Sequence, residues 1–600
     1  MDIMKPIASD EIPYGEEWVY EVKYDGFRCV LTWNKDGSIQ LTSKNKKDLT
    51  GNFPEIIAFC QEYYHQVKDY LPLTMDGELV ILNNTYQANF NWIQKRGRLK
   101  KSDVIQQIST QRPASFMAFD LLTIKGNTLL ATSFHERKQE LNTLFKNLPK
   151  SERIMNVPSF EIADDLWRII FDYKGEGMIA KRKNSKYISG KGHQDWFKIK
   201  NWRTIEGFLT HYDRQNGYFT FNVFHNEDVY VVGKCKHGLK EDEAETLKKL
   251  FITNGEETKD GFSLPPAICA KVHTLDLHQE ELREPEFVSL LPQTVPQSCT
   301  LTNLQIDLAM IPERIGISKV DKVYWPDPMY TKGNFLSYIR EISPYMLPFL
   351  QNRALTLIRF PEGVDEDFFY QKHLPDYAPD FIDFKVVGDE KKIICNHMDA
   401  VVWFANHGTL EYHVPFQTVD LPKPIEIVFD LDPPDRDAFS LAIQAANLIK
   451  PILDDLGLIS FVKTSGNKGI QIHIPIPVNS LTYDETAVFT QAVAYTVEGA
   501  FPHLFTTERM KKKRQGRLYI DYVQHGKDKT IIAPYSPRRT KEGTVATPLY
   551  WEEVNENLRP EQFHIKNVLS RVKELGCPFR YVEEAREKQD LSKVLSLIKA

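Results

Sequence analysis

Residues 290–300 read LLPQTVPQSCT, with two prolines and no sustained periodicity, between two long stretches that each carry their own short hydrophobic runs. A single hydrophobic core stops growing near ~250–300 residues, and this chain has 600. It must therefore divide into two to four domains, and a linker at 293–304 is the natural break. At 42% apolar and 26% charged residues there is ample material for several cores, which excludes a globally disordered or fibrous chain. The formal charge of −6 means that any nucleic-acid binding must use local patches. No run approaches the ~18 apolar residues of a membrane span, so no membrane association is expected. The start, MDIMKPIASDEIP, lacks an apolar signal core. Seven cysteines, at 29, 60, 235, 269, 299, 395 and 577, are odd in number and form no CxxC, which fits free thiols in a reducing cytoplasm without structural zinc.

Residues 16–200 mix alternating runs (WVYEVKYDGFRCVLTW, TMDGELVIL, FMAFDLL) with helical stretches such as 134–147. Period-two runs bounded by turn residues predict antiparallel strands, hence α+β rather than a regular βαβ series. From 204 to 290, IEGFLTHY, YFTFNVFH and DVYVVGKC are followed by the polar helix GLKEDEAETLKKLF, the pattern of a small β-barrel. After 300 a separate α+β unit begins: IEIVFDLDPP is a strand ended by prolines, AFSLAIQAANLIKPIL an amphipathic helix, and GIQIHIPIPV and RLYIDYV two further strands. Neither internal repeats nor low-complexity tracts appear.

In EVKYDGFR, a strand carries Lys23 outward before Asp25-Gly26 turns the chain. A lysine at a strand end becomes a nucleophile when burial or nearby cations disfavour its charge, although alone KYDG reads equally as a solvated hairpin. The order of the downstream motifs changes that weighting: SKN (43–45), DGELV (76–80), FMAFDLL (116–122), GEGMIAKR (175–182) and DWFKIKN (195–201). Glu78 and Glu176 are carboxylates able to hold Mg²⁺ on a triphosphate. Phe119 offers a ring face to a purine. Lys181, Lys198 and Lys200 can neutralise phosphate charge and act on Lys23, and the last two share one strand face.

These six motifs, in this order, resemble the covalent nucleotidyltransferases: ATP-dependent DNA ligases, RNA ligases and capping enzymes. The resemblance covers about 1–290. It implies an adenylation domain (1–203) and an OB-fold domain (204–292), with ATP as cofactor and Lys23 as the residue that becomes Lys-AMP. It also implies Glu21 at the adenine edge, Phe119 stacked on the base and Arg28 on ribose or phosphate. Two departures stand out. The family usually has Ser-Arg where this chain has Ser43-Lys44, and Lys44 cannot reproduce a bidentate phosphate contact. After Arg283 and Pro285 no basic residue follows until Arg314. Arg283 is thus left to act alone on pyrophosphate, which predicts weakened self-adenylation; the alternative is an ordinary surface salt bridge.

In FDLDPP, Asp430 and Asp432 are one residue apart on a strand, so both carboxylates share a face and repel unless a cation sits between them. Mg²⁺ or Mn²⁺ is the natural partner, and Asp521 in RLYIDYV would complete a site for two-metal phosphoryl transfer. TSGNKG (464–469) is a small polar turn whose amides could cradle a triphosphate, with Ser465 and Lys468 adding contacts. His413, in LEYHVPFQ, is by itself as well read as a core histidine.

With APYSPRR (533–539), these motifs resemble the primase-like polymerase domain of the bacterial end-joining ligases of the ligase D type, over about 310–560. The resemblance implies a polymerase domain at 305–600 using NTP or dNTP, with Asp430, Asp432 and Asp521 as metal ligands and His413, Ser465, Lys468 and Arg538 around the nucleotide. Lys322 and Lys332 would hold the 5′-phosphate at a DNA break. Relatives often carry histidine two residues after the KG glycine, where this chain has Gln471. Two basic runs, KRGRLKK (95–101) and ERMKKKRQGR (508–517), fit a phosphate backbone or a merely solvated face.

The expectation is a bifunctional α+β multidomain enzyme of double-strand break repair. It would act on DNA ends, nicks and gaps with the Ku end-binding protein as partner, in a cytoplasmic, nucleoid-associated setting. Rival readings are an RNA ligase or capping-type nucleotidyltransferase, and a DNA-end scaffold with decayed sites.

Overall fold

A computed structural model describes residues 2–190, 193–278 and 281–599. The chain forms two compact units. One gathers the chain up to Val223, Asp228–Pro296 and Lys573–Gly576; the other holds Phe224–Glu227, Gln297–Val572 and the segment from Cys577 onward. Both mix helices with mainly antiparallel sheets, the α+β class that the alternating runs predict.

In the first unit, strands β1 (Trp18–Val22), β2 (Phe27–Trp33), β3 (Leu73–Val80), β4 (Ser115–Ile124), β5 (Gly177–Arg182) and β6 (Trp196–Lys200) build two sheets. One runs Ile7–Ala8, β6, β5, β1; the other runs Ile154–Asn156, β4, β3, β2, Ile39–Ser43. Trp18, Tyr20, Val22, Val80, Met117 and Met178 share one buried cluster, and Leu31, Trp33, Phe53, Met75 and Phe116 lie in another. The turn between β1 and β2 requires glycine at 26, because a Cβ there would stand 2.0 Å from the Leu79 carbonyl oxygen.

Strands β7 (Arg203–Asp213), β8 (Phe219–His225), β9 (Asp228–Cys235), β10 (Gly261–Thr274) and β11 (Glu286–Leu290) pair in the order β9-β8-β7-β10-β11. A parallel bridge between His237 and Glu286 closes the ring. The polar helix lies between the third and fourth strands, at Glu241–Asn254, and buries Leu247 and Phe251. A register shift at Leu209/His211 gives β7 the bend that closure requires. This is the OB-type barrel.

The second unit centres on a six-stranded sheet: Phe505–Thr506, β16 (Leu518–Asp521), β13 (Glu426–Asp432), β15 (Ile470–Pro475), β14 (Phe461–Thr464) and Pro548–Leu549, in that spatial order. Beside it a four-stranded sheet carries β12 (Thr409–Pro415) between Thr356–Arg359 and Thr530–Ile532. The predicted amphipathic helix is Phe439–Asp455. All seven cysteines are free thiols. Among the described residues, no helix is long and apolar enough to cross a membrane.

The run KRGRLKK is not a uniform basic face. Lys95, Arg98, Lys100 and Lys101 are exposed, but Arg96 is fully buried. Its guanidinium pairs with Glu55 at 2.7 Å and donates to the Asn52 and Ile105 carbonyls at 2.9 and 3.2 Å. A buried ion pair broken on one side leaves an uncompensated charge, at a cost of about 3–5 kcal/mol. Arg96→Met should therefore destabilise the first unit by roughly that amount in denaturant titration, whereas Lys100→Ala should stay within about 0.5 kcal/mol.

Candidate active sites

β1 ends at Val22, and Lys23 prolongs its ladder: the Lys23 amide donates to the Gly177 carbonyl at 2.8 Å. That register brings the Lys23 ammonium into an ion pair with Glu176, at the mouth of β5. A cavity of about 410 Å³ opens around the pair. Its walls include Glu21, Lys23, Arg28, Lys44, Glu78, Phe119, Glu176, Lys181, Lys198 and Arg283. Of the residues expected here, only Lys200 is not among these walls. It pairs with Glu284 at 2.6 Å and Glu286 at 3.7 Å, with its ammonium over Trp202.

Burial pushes the Glu78 carboxyl up to about 7, with Glu176 and Asp76 adding to the rise against Arg28 and Lys23. Burial raises Glu176 as well, against the pull of Lys23, and its Oε2 is buried with no hydrogen-bond partner. Two neighbouring carboxyls kept from water call for a cation, and Lys23 answers one of them.

Three residues behave differently from expectation. Glu21 is buried between two lysines, Lys138 at 2.7 Å and Lys181 at 2.5 Å, and also accepts from Ser159 at 2.8 Å. Burial alone would raise its carboxyl, but the two ammoniums carry it below its usual range. Lys181 is therefore not a free phosphate ligand. It lies within 4.5 Å of the Phe119 and Trp196 ring centres, and burial lowers it to about 8 against the pull of Glu21. Arg28 grips buried Asp76 with two bonds of 2.7 Å, while its guanidinium covers Phe119 at 4.3 Å.

Arg283 is no plain surface bridge: it pairs with Asp25 inside the cavity and stacks over Phe90 at 4.1 Å. The sequence reading missed Asp76, Trp196, Lys138 and Tyr187, whose hydroxyl donates to Asp76 at 2.6 Å. Asp76 and Trp196 sit inside motifs already singled out; Lys138 and Tyr187 carry no local signal.

In the second unit, Asp430 and Asp432 share one face at the end of β13, and Asp521 of β16 is the cross-strand partner of Asp430. Burial pushes the Asp430 carboxyl up to about 6, with Asp521 and Asp432 adding and Gln471 and Lys463 opposing. Burial also raises Asp521, although Tyr519 and the Gln524 amide donate to it at 3.0 and 2.8 Å. Asp432 is held by Lys468 at 2.9 Å and Arg514 at 3.1 Å. Among the described residues, no three His, Cys, Asp or Glu side chains gather into a group that could hold a metal ion by themselves.

A cavity of about 250 Å³ joins Asp430 and Asp432 to His413, Ser465, Lys468 and Arg538; Asp521 is not among its walls. His413 and Arg538 converge on buried Glu411, at 3.0 and 3.3 Å. Burial lowers His413 despite Glu411. The TSGNKG turn is closed on itself: Ser465 Oγ accepts from the Gly469 and Asn467 amides at 3.0 and 3.3 Å, so these two amides do not point outward as an open cradle. Gly466 adopts φ +73°, and a Cβ there would stand 2.7 Å from the Ala546 nitrogen.

Lys322 and Lys332 are brought together by a 2.7 Å backbone hydrogen bond at the start of the helix Lys332–Leu350. Lys332 is buried and donates to the Ser318 carbonyl at 2.8 Å; burial lowers it to about 8, with Lys322 and Lys319 adding. Lys322 pairs with Glu362. Lys319 is a third cation that the sequence reading missed. In the run 508–517, Arg509 and Lys511–Lys513 are exposed, whereas Arg514 is turned inward onto Asp432.

Two family models match the chain: an ATP-dependent DNA ligase domain over residues 7–200 and the LigD primase-polymerase domain over 331–579. A bifunctional non-homologous end joining protein LigD of Bacillus subtilis is 41% identical over 99% of both chains. A multifunctional LigD of Pseudomonas aeruginosa is 22% identical over 97% of this chain and 72% of its own. A solved polymerase domain of Mycobacterium tuberculosis ligase D, in complex with DNA, is 29% identical, covering 46% of this chain and 98% of that one with a TM-score of 0.42. The chain belongs to the LigD family of non-homologous end joining proteins, with its ATP-dependent DNA ligase domain preceding its primase-polymerase domain.

Proposed function

We propose that this chain repairs double-strand breaks by filling gaps with its second unit and sealing nicks with its first, using ATP. Its domains would be the adenylation domain at 1–203, the OB domain at 204–292, a linker at 293–304 and the polymerase domain at 305–600. The observation that carries the ligase half is Lys23 set against Glu176 and Glu78 in one cavity.

Lys23 Nζ attacks the α-phosphorus of ATP, forming a phosphoramide as pyrophosphate leaves. A DNA 5′-phosphate oxygen then takes the AMP and frees Lys23, and the neighbouring 3′-hydroxyl attacks that phosphate and releases AMP. Because Nζ is engaged with Glu176, that contact must part before attack. Phe119 and the Glu21 edge form the base end of the cavity. A purine on Phe119 must share the ring with Arg28 and Lys181, so those two cations fix where the base can lie.

Glu78 and Glu176 fit Mg²⁺ or Mn²⁺: they are two buried carboxyls, one with an unpartnered oxygen. Triphosphate oxygens and water would complete such a set. Asp430 and Asp432 line one cavity, where a divalent ion with triphosphate oxygens would replace Lys468 and Arg514 on Asp432; with Asp521 outside that wall, the three expected acids do not form a ready-made group by themselves. When bound there, the metal supplies charge neutralisation at the transferring phosphoryl group of an NTP or dNTP. Lys468, Arg538, Ser465 and His413 bind and orient the triphosphate. Lys322 and Lys332, with Lys319, hold the 5′-phosphate of the gap as point charges. Double-stranded DNA ends, and the end-binding protein Ku, are the partners of such an enzyme, in a nucleoid-associated setting.

The direct test of the ligase half is incubation with α-labelled ATP. Wild type forms a covalent adduct, and Lys23→Ala reduces it to background while still sealing a pre-adenylated nick and filling gaps. An adduct that survives in Lys23→Ala places the nucleophile elsewhere.

For the polymerase half, Asp430→Ala and Asp521→Ala each abolish nucleotide addition, read as primer extension on gels, while nick sealing continues at the wild-type rate. Extension by either variant would remove that acid from the chemistry.

The phosphate pocket is checked on gaps bearing a 5′-phosphate or a 5′-hydroxyl. Wild type should fill the former faster. The double variant Lys322→Ala, Lys332→Ala should lose that preference, whereas purely non-specific lysines would weaken both substrates alike and lower the salt slope.

A further inference from the structure

Four side chains stand in one row across the central sheet of the second unit. Lys463 on β14, Gln471 on β15, Asp430 on β13 and Asp521 on β16 are successive cross-strand partners. Cross-strand partners share a face of the sheet, so the row runs from the core to the acids. Lys463 Nζ donates to Gln471 Oε1, and Gln471 Nε2 donates to Asp430 Oδ1 at 3.1 Å. Lys463 is 0% exposed and Gln471 3%. Gln471 forms part of the wall of the nucleotide cavity; Lys463 lies behind it.

The chemistry of the two ends fixes the amide between them. The Lys463 amine gives a hydrogen to the amide oxygen, and the Asp430 carboxylate receives one from the amide nitrogen. A glutamine alone could present either end of its amide to Asp430, and with its oxygen forward it would repel that carboxylate. With Lys463 on Oε1, the NH₂ group must face Asp430. Burial lowers Lys463 to about 7 against the pull of Asp430, and the amine meets a neutral amide, not a carboxylate.

We propose that Lys463 is a positioning residue for nucleotide addition: through Gln471 it fixes the orientation of the Asp430 carboxylate, without touching nucleotide. This rests on the reading of Asp430 as a polymerase acid. The consequence is a split in kinetics. Loss of the relay should change how Asp430 receives a divalent cation while leaving the nucleotide contacts of Ser465, Lys468 and Arg538 in place.

The experiment uses the full chain and gapped DNA: Mn²⁺ binding is read directly by electron paramagnetic resonance, with Asp430→Ala as the reference for this site, and nucleotide addition is followed with Mn²⁺ or Mg²⁺ titrated at saturating nucleotide, then with nucleotide titrated at saturating metal. Groups that orient metal ligands are typically worth about 10–100-fold in metal affinity or activity. Lys463→Met should therefore shift the half-saturating metal concentration or the maximal rate by about 10-fold or more, with nucleotide KM nearly unchanged and nick sealing intact. Lys463→Arg, which restores the donor, should recover part of the loss. Combining Lys463→Met with Gln471→Leu should add little to either single change, because both break one relay.

Wild-type metal dependence and rate in Lys463→Met would overturn the proposal, as would additive losses in the double variant. If Lys463→Met does not fold, Gln471→Glu carries the test. It keeps a partner for Lys463 yet sets a carboxylate against Asp430, and it should lose the same metal response. Normal metal response there also refutes the relay. Absence of nucleotide addition in the wild type is a different result, and refutes the polymerase reading itself.

Discussion

Carboxylates held side by side away from water repel one another and lose their hydration, and neither unit can fold around its site until that cost is offset. In the first unit the acids are Asp76, Glu78 and Glu176; Arg28 takes the first and Lys23 the last. In the second they are Asp430, Asp432 and Asp521; Lys468 and Arg514 take Asp432, and the Gln471 amide faces Asp430. Each site is thus balanced in part by its own side chains, with Glu78 still pushed up to about 7. In the proposed reaction, a metal–triphosphate complex would exchange one set of ion partners for another, which requires less than ionising a buried acid from the start. The same pairs that hold the sites together are those that must part for chemistry.

Much of this was legible in the sequence because the motifs lie on strands. KYDG and DLD place a charged residue where a strand stops, DGE places one inside a strand, and period-two alternation says which residues share a face. The ordered motifs therefore located Lys23, Glu78, Glu176, Asp430 and Asp432 without any structure. What stayed hidden were contacts with no sequence neighbourhood. Lys138, on the helix Phe134–Lys146, reaches Glu21 across 117 positions of chain (138 − 21). Tyr187 meets Asp76 only through tertiary packing. Basic runs misled for the opposite reason: composition cannot tell which member of KRGRLKK or ERMKKKRQGR turns inward, and Arg96 did so to meet Glu55 and Arg514 to meet half-buried Asp432.

Gap filling must precede sealing, and the side chains proposed for the two activities are separate sets, so what the chain contributes is connection. A tethered second activity meets its substrate at an effective concentration set by linkage instead of by free diffusion. That advantage asks nothing of the sites themselves, so each can keep its own charge network.

The strand GIQIHIP shows where local rules give way. Its alternation reads as one buried and one solvated face, yet every residue from Ile470 to Pro475 is buried. Ile470, Ile472 and Ile474 pack into the core; Gln471 and His473 face a second buried layer, where His473 meets Glu426 at 2.8 Å. A purely apolar strand would pack there with less desolvation. Keeping two polar residues on that face is disadvantageous for stability alone, and such local inconsistency is expected where a site needs orientation more than burial. The polar half of the pattern marks the side of the strand that faces the acids, so in this sheet hydrophobic periodicity reports the position of the site and not that of the solvent.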